Sequence, residues 1–162
     1  MKKLFLFSAS LFALVFTSVP LHCQQLTVQT DSRKQVVLSR TDLEALPHVK
    51  VTASEHSSGP VNFEGVTLKS VLEKAGVTFG ESMKGKRLAN CLLVEAADGY
   101  RAVIALPELD PAFTDRQILL AFLRDGKPLG EKEGPYRIVI RDEKRMARWV
   151  RQLTTLKIVD VQ

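Results

Sequence analysis

Arg137 sits one residue into an apolar run, Tyr136-Arg137-Ile138-Val139-Ile140. A guanidinium stays charged at any physiological pH, and a buried charge needs a counter-charge. Arg137 is therefore half of a structural ion pair or a ligand for an anion. A second group follows at once: Arg141, Lys144, Arg145, Arg148 and Arg151. It reads either as a solvated basic face or as an anion site, since the arginine fork matches carboxylate and phosphate bidentately. Trp149 inside that group is a core anchor or a stacking platform. The third feature is His56, in the turn-rich stretch Glu55-His56-Ser57-Ser58-Gly59-Pro60. It is an exposed loop histidine or a ligand contact at the mouth of a sheet.

Other chemistries are missing. There is no Gly-rich phosphate loop, no HExxH, no CxxC and no GxSxG elbow. Beyond residue 23 the only histidines are His48 and His56, and the only cysteine is Cys91. His and Cys alone then provide no metal-ligand spacing. Ser54, His56 and an aspartate could be drawn as a triad, but a chain of this size offers such sets by chance. The sequence names no catalytic residue.

Residues 1–23 read as a signal peptide. Lys2-Lys3 is a basic start, Leu4 to Val19 is apolar, and polar Gln24-Gln25 follows. The apolar stretch is shorter than the roughly 20 residues that span a bilayer. The expectation is a periplasmic or secreted protein with no membrane span after cleavage. Lipid anchoring at Cys23 is the alternative, although His22 is large for the position before a lipidated cysteine. Residues 24–162 form one domain's worth of chain. The formal charge is +5, two units of it from Lys2 and Lys3. A mildly basic exported domain needs no nucleic-acid partner. Cys91, alone after cleavage and in an apolar segment, is expected to be buried and inert.

The elements that must carry these side chains are short. Leu26 to Leu38 reads as two strands around Asp31-Ser32. Thr41-Asp-Leu-Glu44 fits a capping box for a short helix that Pro47 stops. His48 to Ser54 alternates as a strand, and Val61 to Phe63 is extended. Thr67 caps a helix whose Leu68, Val71, Leu72 and Ala75 share one face, with Gly76 ending it. Leu88 to Leu106 predicts a hairpin about Asp98-Gly99, placed centrally in the core. Ile118 to Leu123, Pro135 to Arg141 and Thr155 to Val161 read as strands, with Asp125-Gly126 as a second hairpin turn. The strands and helices do not alternate as a repeating βα unit. The fold class is α+β, a mixed and mostly antiparallel sheet with two or three short helices.

Several of these stretches, in order and in register, resemble the oxidoreductase molybdopterin-binding domain, the fold of the sulfite oxidase family. They are Phe63-Glu-Gly-Val-Thr-Leu-Lys-Ser-Val-Leu-Glu-Lys-Ala-Gly76, Ala97-Asp-Gly-Tyr100, Ile118-Leu-Leu-Ala121, Asp125-Gly-Lys-Pro-Leu129, Gly134-Pro-Tyr-Arg-Ile-Val-Ile140 and Arg148-Trp-Val-Arg151. The chain is most similar to short exported bacterial members consisting of this domain alone. The resemblance implies a molybdenum-pterin cofactor held by loops at one end of the sheet. It aligns Arg137 with the arginine of the family's Gly-x-Pro-x-Arg pattern, and Arg148-Trp149 with the family's C-terminal basic residue and tryptophan.

The departures bear on function. Catalytic members carry a molybdenum-ligating cysteine where this chain reads Val49-Lys-Val-Thr-Ala-Ser-Glu-His56. The family's histidine before the arginine pattern is Glu133, and its backbone-approach glycines are replaced by Arg141-Asp142-Glu143-Lys144. Three expectations follow. The first is a module binding an anionic ligand or pterin through His56, Arg137, Arg148, Lys144 and Arg145, without a protein metal ligand. The second is a molybdopterin-dependent oxidoreductase using Ser54 or His56 on the metal, with a redox partner that the sequence does not name. The third is a non-catalytic interaction protein with a collapsed pocket.

Overall fold

The computed structural model describes residues 24–55 and 58–161. The predicted signal peptide, residues 1–23, and the candidate His56 lie outside them. Among the described residues no helix is long and apolar enough to cross a membrane.

Among the described residues ten strands form two five-stranded sheets. The first contains β1 (Leu26–Gln29), β2 (Gln35–Leu38), β5 (Cys91–Ala96), β6 (Arg101–Ala105) and β10 (Leu153–Val159), in the order β2-β1-β10-β5-β6. The second contains β3 (His48–Glu55), β4 (Ser58–Thr67), β7 (Ile118–Arg124), β8 (Lys127–Pro128) and β9 (Arg137–Ile140). Its order is β3-β4-β7, with β8 and β9 both pairing with β7. Every pair is antiparallel except β1 with β10. With two α-helices, Arg40–Glu44 (α1) and Leu68–Lys74 (α2), this is the expected α+β architecture.

Side-chain alternation sets the inner face of the first sheet. Leu92, Val94 and Ala96 of β5 point inward, as do Leu156 and Ile158 of β10. Cys91 is one position out of that phase. It is therefore half-buried on the outer face, not buried as expected. The β5–β6 hairpin turns at Asp98-Gly99 as predicted, and Asp98 Oδ1 accepts the Tyr100 N–H at 2.9 Å. It is not central. β6 is an edge strand with only Ile104 fully inward, and the long parallel-and-antiparallel partner in mid-sheet is β10. In the second sheet Ile118 to Phe122 and all of β9 are buried without alternation, as befits strands covered on both faces.

Caps fix the helices. The box on α1 is Ser39 with Asp42, not Thr41 with Glu44. The Ser39 N–H donates to Asp42 Oδ2 at 2.9 Å, and the Asp42 N–H donates to Ser39 Oγ at 3.2 Å. Two overlapping Ser/Thr-x-x-acid frames occur here. The frame that turns Leu43 fully inward prevails. Ser39→Ala should lower stability by about 1 kcal/mol, read as a shift in the urea midpoint at constant slope. On α2 Thr67 caps as predicted, its Oγ1 accepting the Ser70 N–H at 3.1 Å, and Leu68, Val71, Leu72 and Ala75 are buried. The β7–β8 turn has Asp125 at φ 48° and Gly126 at φ 76°. Both central residues are left-handed, as a two-residue hairpin matched to strand twist requires.

Candidate anion groove beside strand β3

β3 is the free edge of the second sheet, and two adjoining cavities of about 450 and about 500 Å³ run beside it. Lys50 and Val51 line the first, with the segment Thr114 to Gln117 and Arg141-Asp142. Thr52 to Glu55 and Pro60 line the second, with Arg141, Glu143 and Lys144. Val51 and Ala53 turn inward to form the floor, while Thr52 and Ser54 are exposed along it. Arg141 borders both cavities, so the loop after β9 forms the facing wall. Such volumes suit a small organic ligand.

Charge is sorted along that loop. Each of its two acids is held by an arginine. Arg116 Nε donates to Asp142 Oδ2 at 2.9 Å, and Arg148 Nε donates to Glu143 Oε1 at 2.6 Å. Both arginines meet again on Glu108, from Arg116 Nη1 at 2.6 Å and from Arg148 Nη1 at 3.2 Å. Burial alone would push the Glu108 carboxyl up. The Arg148 hydrogen bond, the Ala105 N–H and the two guanidinium charges outweigh it and hold Glu108 below the usual carboxylate range. Burial likewise works to lower Arg148, and its bonds to Glu108 and Glu143 leave it raised. The two cations at the loop's ends, Arg141 and Lys144, are exposed and pair with no described residue. Lys50, by contrast, is taken by Glu64 at 3.1 Å.

Beneath the far end of the groove lies a square of two arginines and two glutamates. Arg137 Nη1 donates to Glu55 Oε1 and to Glu133 Oε2, each at 2.9 Å. Arg124 binds the other oxygens of the same carboxylates, each at 2.8 Å. The Arg137 guanidinium also lies 4.9 Å from the Phe63 ring centroid and 5.6 Å from that of Trp149. Arg137 is fully buried, and its Nε and Nη2 have no hydrogen-bond partner among the described residues. Trp149 is a core anchor whose Nε1 donates to Ile140 O at 3.1 Å.

The predicted site residues are thus dispersed. Lys144 lines the groove beside Ser54. Arg137 lies under it and reaches it through Glu55. Arg148 lies behind the loop and acts on it through Glu143. Arg145 is exposed and borders neither cavity. Glu55, Glu108, Arg116 and the Thr114 to Gln117 wall carried no signal in the sequence. Their partners stand up to 82 positions away.

The cation pair and the volume fit an anionic organic group. The groove's described lining offers no thiol, Cys91 is on the other sheet, and no group of three His, Cys, Asp or Glu among the described residues is arranged to hold a metal.

Comparison with known proteins agrees with the fold. A family model described as "Oxidoreductase molybdopterin binding domain" matches residues 17–162. Among solved structures the chain is similar to the sulfane dehydrogenase SoxCD from Paracoccus pantotrophus, with TM-score 0.66 and 20% identity. That match covers 85% of this chain and 38% of the other, so the chain spans under two-fifths of that protein. No curated protein matches it.

Proposed function

The chain belongs to the oxidoreductase molybdopterin-binding domain family, and on that premise we propose that it is an exported, single-domain binding module of the sulfite oxidase-type fold. Its ligand is anionic, a pterin phosphate being the form the family implies, and it is held in the groove beside β3 with no thiolate from this chain. The observation that carries this reading is the pair of unpaired cations, Arg141 and Lys144, on a loop whose own acids are already bound. A ligand phosphate meets free donors there and displaces no existing ion pair. The Arg141 fork would orient it, and the Lys144 ammonium would add a second charge. Thr52 and Ser54, exposed in the same cavity, would offer hydroxyls to the rest of such a ligand. When bound, a molybdenum-pterin group supplies two-electron redox chemistry. The residues here supply binding and orientation.

The expected result is that R141A/K144A weakens inorganic phosphate binding by about 10- to 100-fold, as the loss of one or two charge-assisted contacts implies. A titration followed on the backbone amides of Arg141 to Lys144 and their neighbours measures it. Unchanged affinity would remove the site. A second reading, a molybdopterin-dependent oxidoreductase, is favoured by one feature: Ser54 is exposed inside the same cavity as Lys144. It predicts stoichiometric molybdenum when the protein is exported from a host that makes the cofactor. The module reading predicts pterin or phosphate with little retained metal, because a hydroxyl is a poor substitute for the soft thiolate.

A further inference from the structure

We infer that Glu108, delivered from the first sheet, is the positioning residue that holds the groove's anion-binding loop in its working shape; this rests on the anion site proposed at Arg141 and Lys144. Glu108 lies in the turn Leu106–Leu109 that follows edge strand β6, and so outside the sheet that forms the groove. Its own carboxylate is fixed by the Ala105 N–H at 3.1 Å. Each of its oxygens then meets a guanidinium, Arg148 on Oε1 and Arg116 on Oε2. The same two guanidiniums reach onward to successive loop residues, Arg148 to Glu143 and Arg116 to Asp142. Arg148 also donates to Val103 O at 3.3 Å, which ties it to β6 itself. The result is a two-armed clamp whose hinge is one carboxylate. Its fingers close on the middle of Arg141-Asp142-Glu143-Lys144 and leave the outer cations facing the cavities.

Without Glu108 the two arginines lose their common anchor. Asp142 and Glu143 are then free to fold back on Arg141 and Lys144, their unpaired neighbours in the loop. An internal ion pair would replace the ligand's. Glu108 touches neither ligand nor cavity, so it acts only through that arrangement.

The sign of the effect separates this from a plain charge effect. Removing a nearby negative charge strengthens anion binding if electrostatics alone decides. Positioning predicts the reverse. E108Q should weaken inorganic phosphate binding by about tenfold, in the range of coupling seen within one charge network. Its effect should vanish in the R141A/K144A background, while its effect on the urea midpoint should be the same in both. E108D, which keeps the charge but draws the carboxylate back from both guanidiniums, should also weaken binding, and it serves if E108Q does not fold. Unchanged or tighter binding in the folded variant, E108Q or failing that E108D, overturns the inference while leaving the site standing. If R141A/K144A itself leaves affinity unchanged, the site reading falls and this inference falls with it. A purely structural Glu108 would lower the urea midpoint and leave the affinity where it was.

Discussion

Gly65→Ala should destabilise the protein by about 3 kcal/mol or more, the upper end of what overpacking a tight site costs. The added methyl would lie 1.9 Å from Leu120 O and 2.7 Å from Ala121 Cα. Both are backbone atoms, so no side-chain rotation can make room. Neither can β7 retreat, because it is held between β4 and β9 and is buried from Ile118 to Phe122. The closeness has a local cause. The β4–β7 register shifts between Glu64 and Gly65, and the bulge presses the β4 backbone onto its neighbour. The same bulge lies just beyond Phe63, which pairs across to Arg124 and floors the Arg137 cluster. Misplacing it would therefore disturb the end of the groove as well as the core. Gly59→Ala is the control. That glycine is exposed with open space at its Cβ position, and its substitution should stay within about 0.5 kcal/mol. Urea denaturation of the two variants side by side decides the matter, and a Gly65→Ala cost under about 1 kcal/mol would show that the strands are free to part.

Why Gly65 was legible only as part of a family-like string illustrates what local pattern can and cannot carry. Periodicity predicted β3 and α2 because each buries one face, and burying a face leaves a repeat in the chain, whereas β5 and β7 are legible as short apolar runs followed by Asp-Gly turns. The Asp125-Gly126 turn was legible because its backbone demands those residue types. The position of a strand within its sheet leaves no such trace. Leu88 to Leu106 reads as a core hairpin by composition, yet β6 is an edge, and only the pairing of β5 with β10 decides that. The capping frame on α1 failed for a related reason. Thr41 and Ser39 are equally good caps chemically, and the choice between them was made by which register buries Leu43.

The site divides along the same line. Residue types announced that Arg137 must meet an anion and that Arg141 to Arg151 form a basic surface. A buried Arg137 calls for an anion whether it is structural or a ligand contact, and the carboxylates that meet it are Glu55 and Glu133. Glu133 stands where the family resemblance leads one to expect a histidine. Arg141-Asp142-Glu143-Lys144, the other departure from the family pattern, is the stretch that walls the groove. Local differences from a family thus marked the residues with particular roles here. What stayed hidden was which basic residues are already occupied. Arg148 and Lys144 look alike in the chain, and contacts with Glu143 and with the distant Glu108 separate the occupied one from the free one.

Arg137→Ala is the second change with a large expected effect, about 3–5 kcal/mol, the cost of breaking a buried ion pair from one side. Arg137 is wholly buried, and the side chains of Glu55 and Glu133 are only 11% and 17% exposed. After the substitution two carboxylates would share the single guanidinium of Arg124, in a place water hardly reaches. A cavity beside Phe63 and Trp149 would add to the loss. Replacing the group as a whole should cost far less. R124M/R137M/E55Q/E133Q removes all four charges together, and a matched apolar or neutral set often comes near neutral. Arg137→Lys separates the two roles open to this residue. A lysine keeps the charge but loses the flat fork between two rings and two acids. If Arg137 is structural, R137K lowers the urea midpoint and leaves the phosphate affinity of the groove intact. If it is an anion ligand, R137K lowers the affinity even under conditions where the protein remains folded. The geometry supports the first outcome, because all the hydrogen bonds that Arg137 makes to described side chains go to Glu55 and Glu133, and the groove lies on the other side of Glu55.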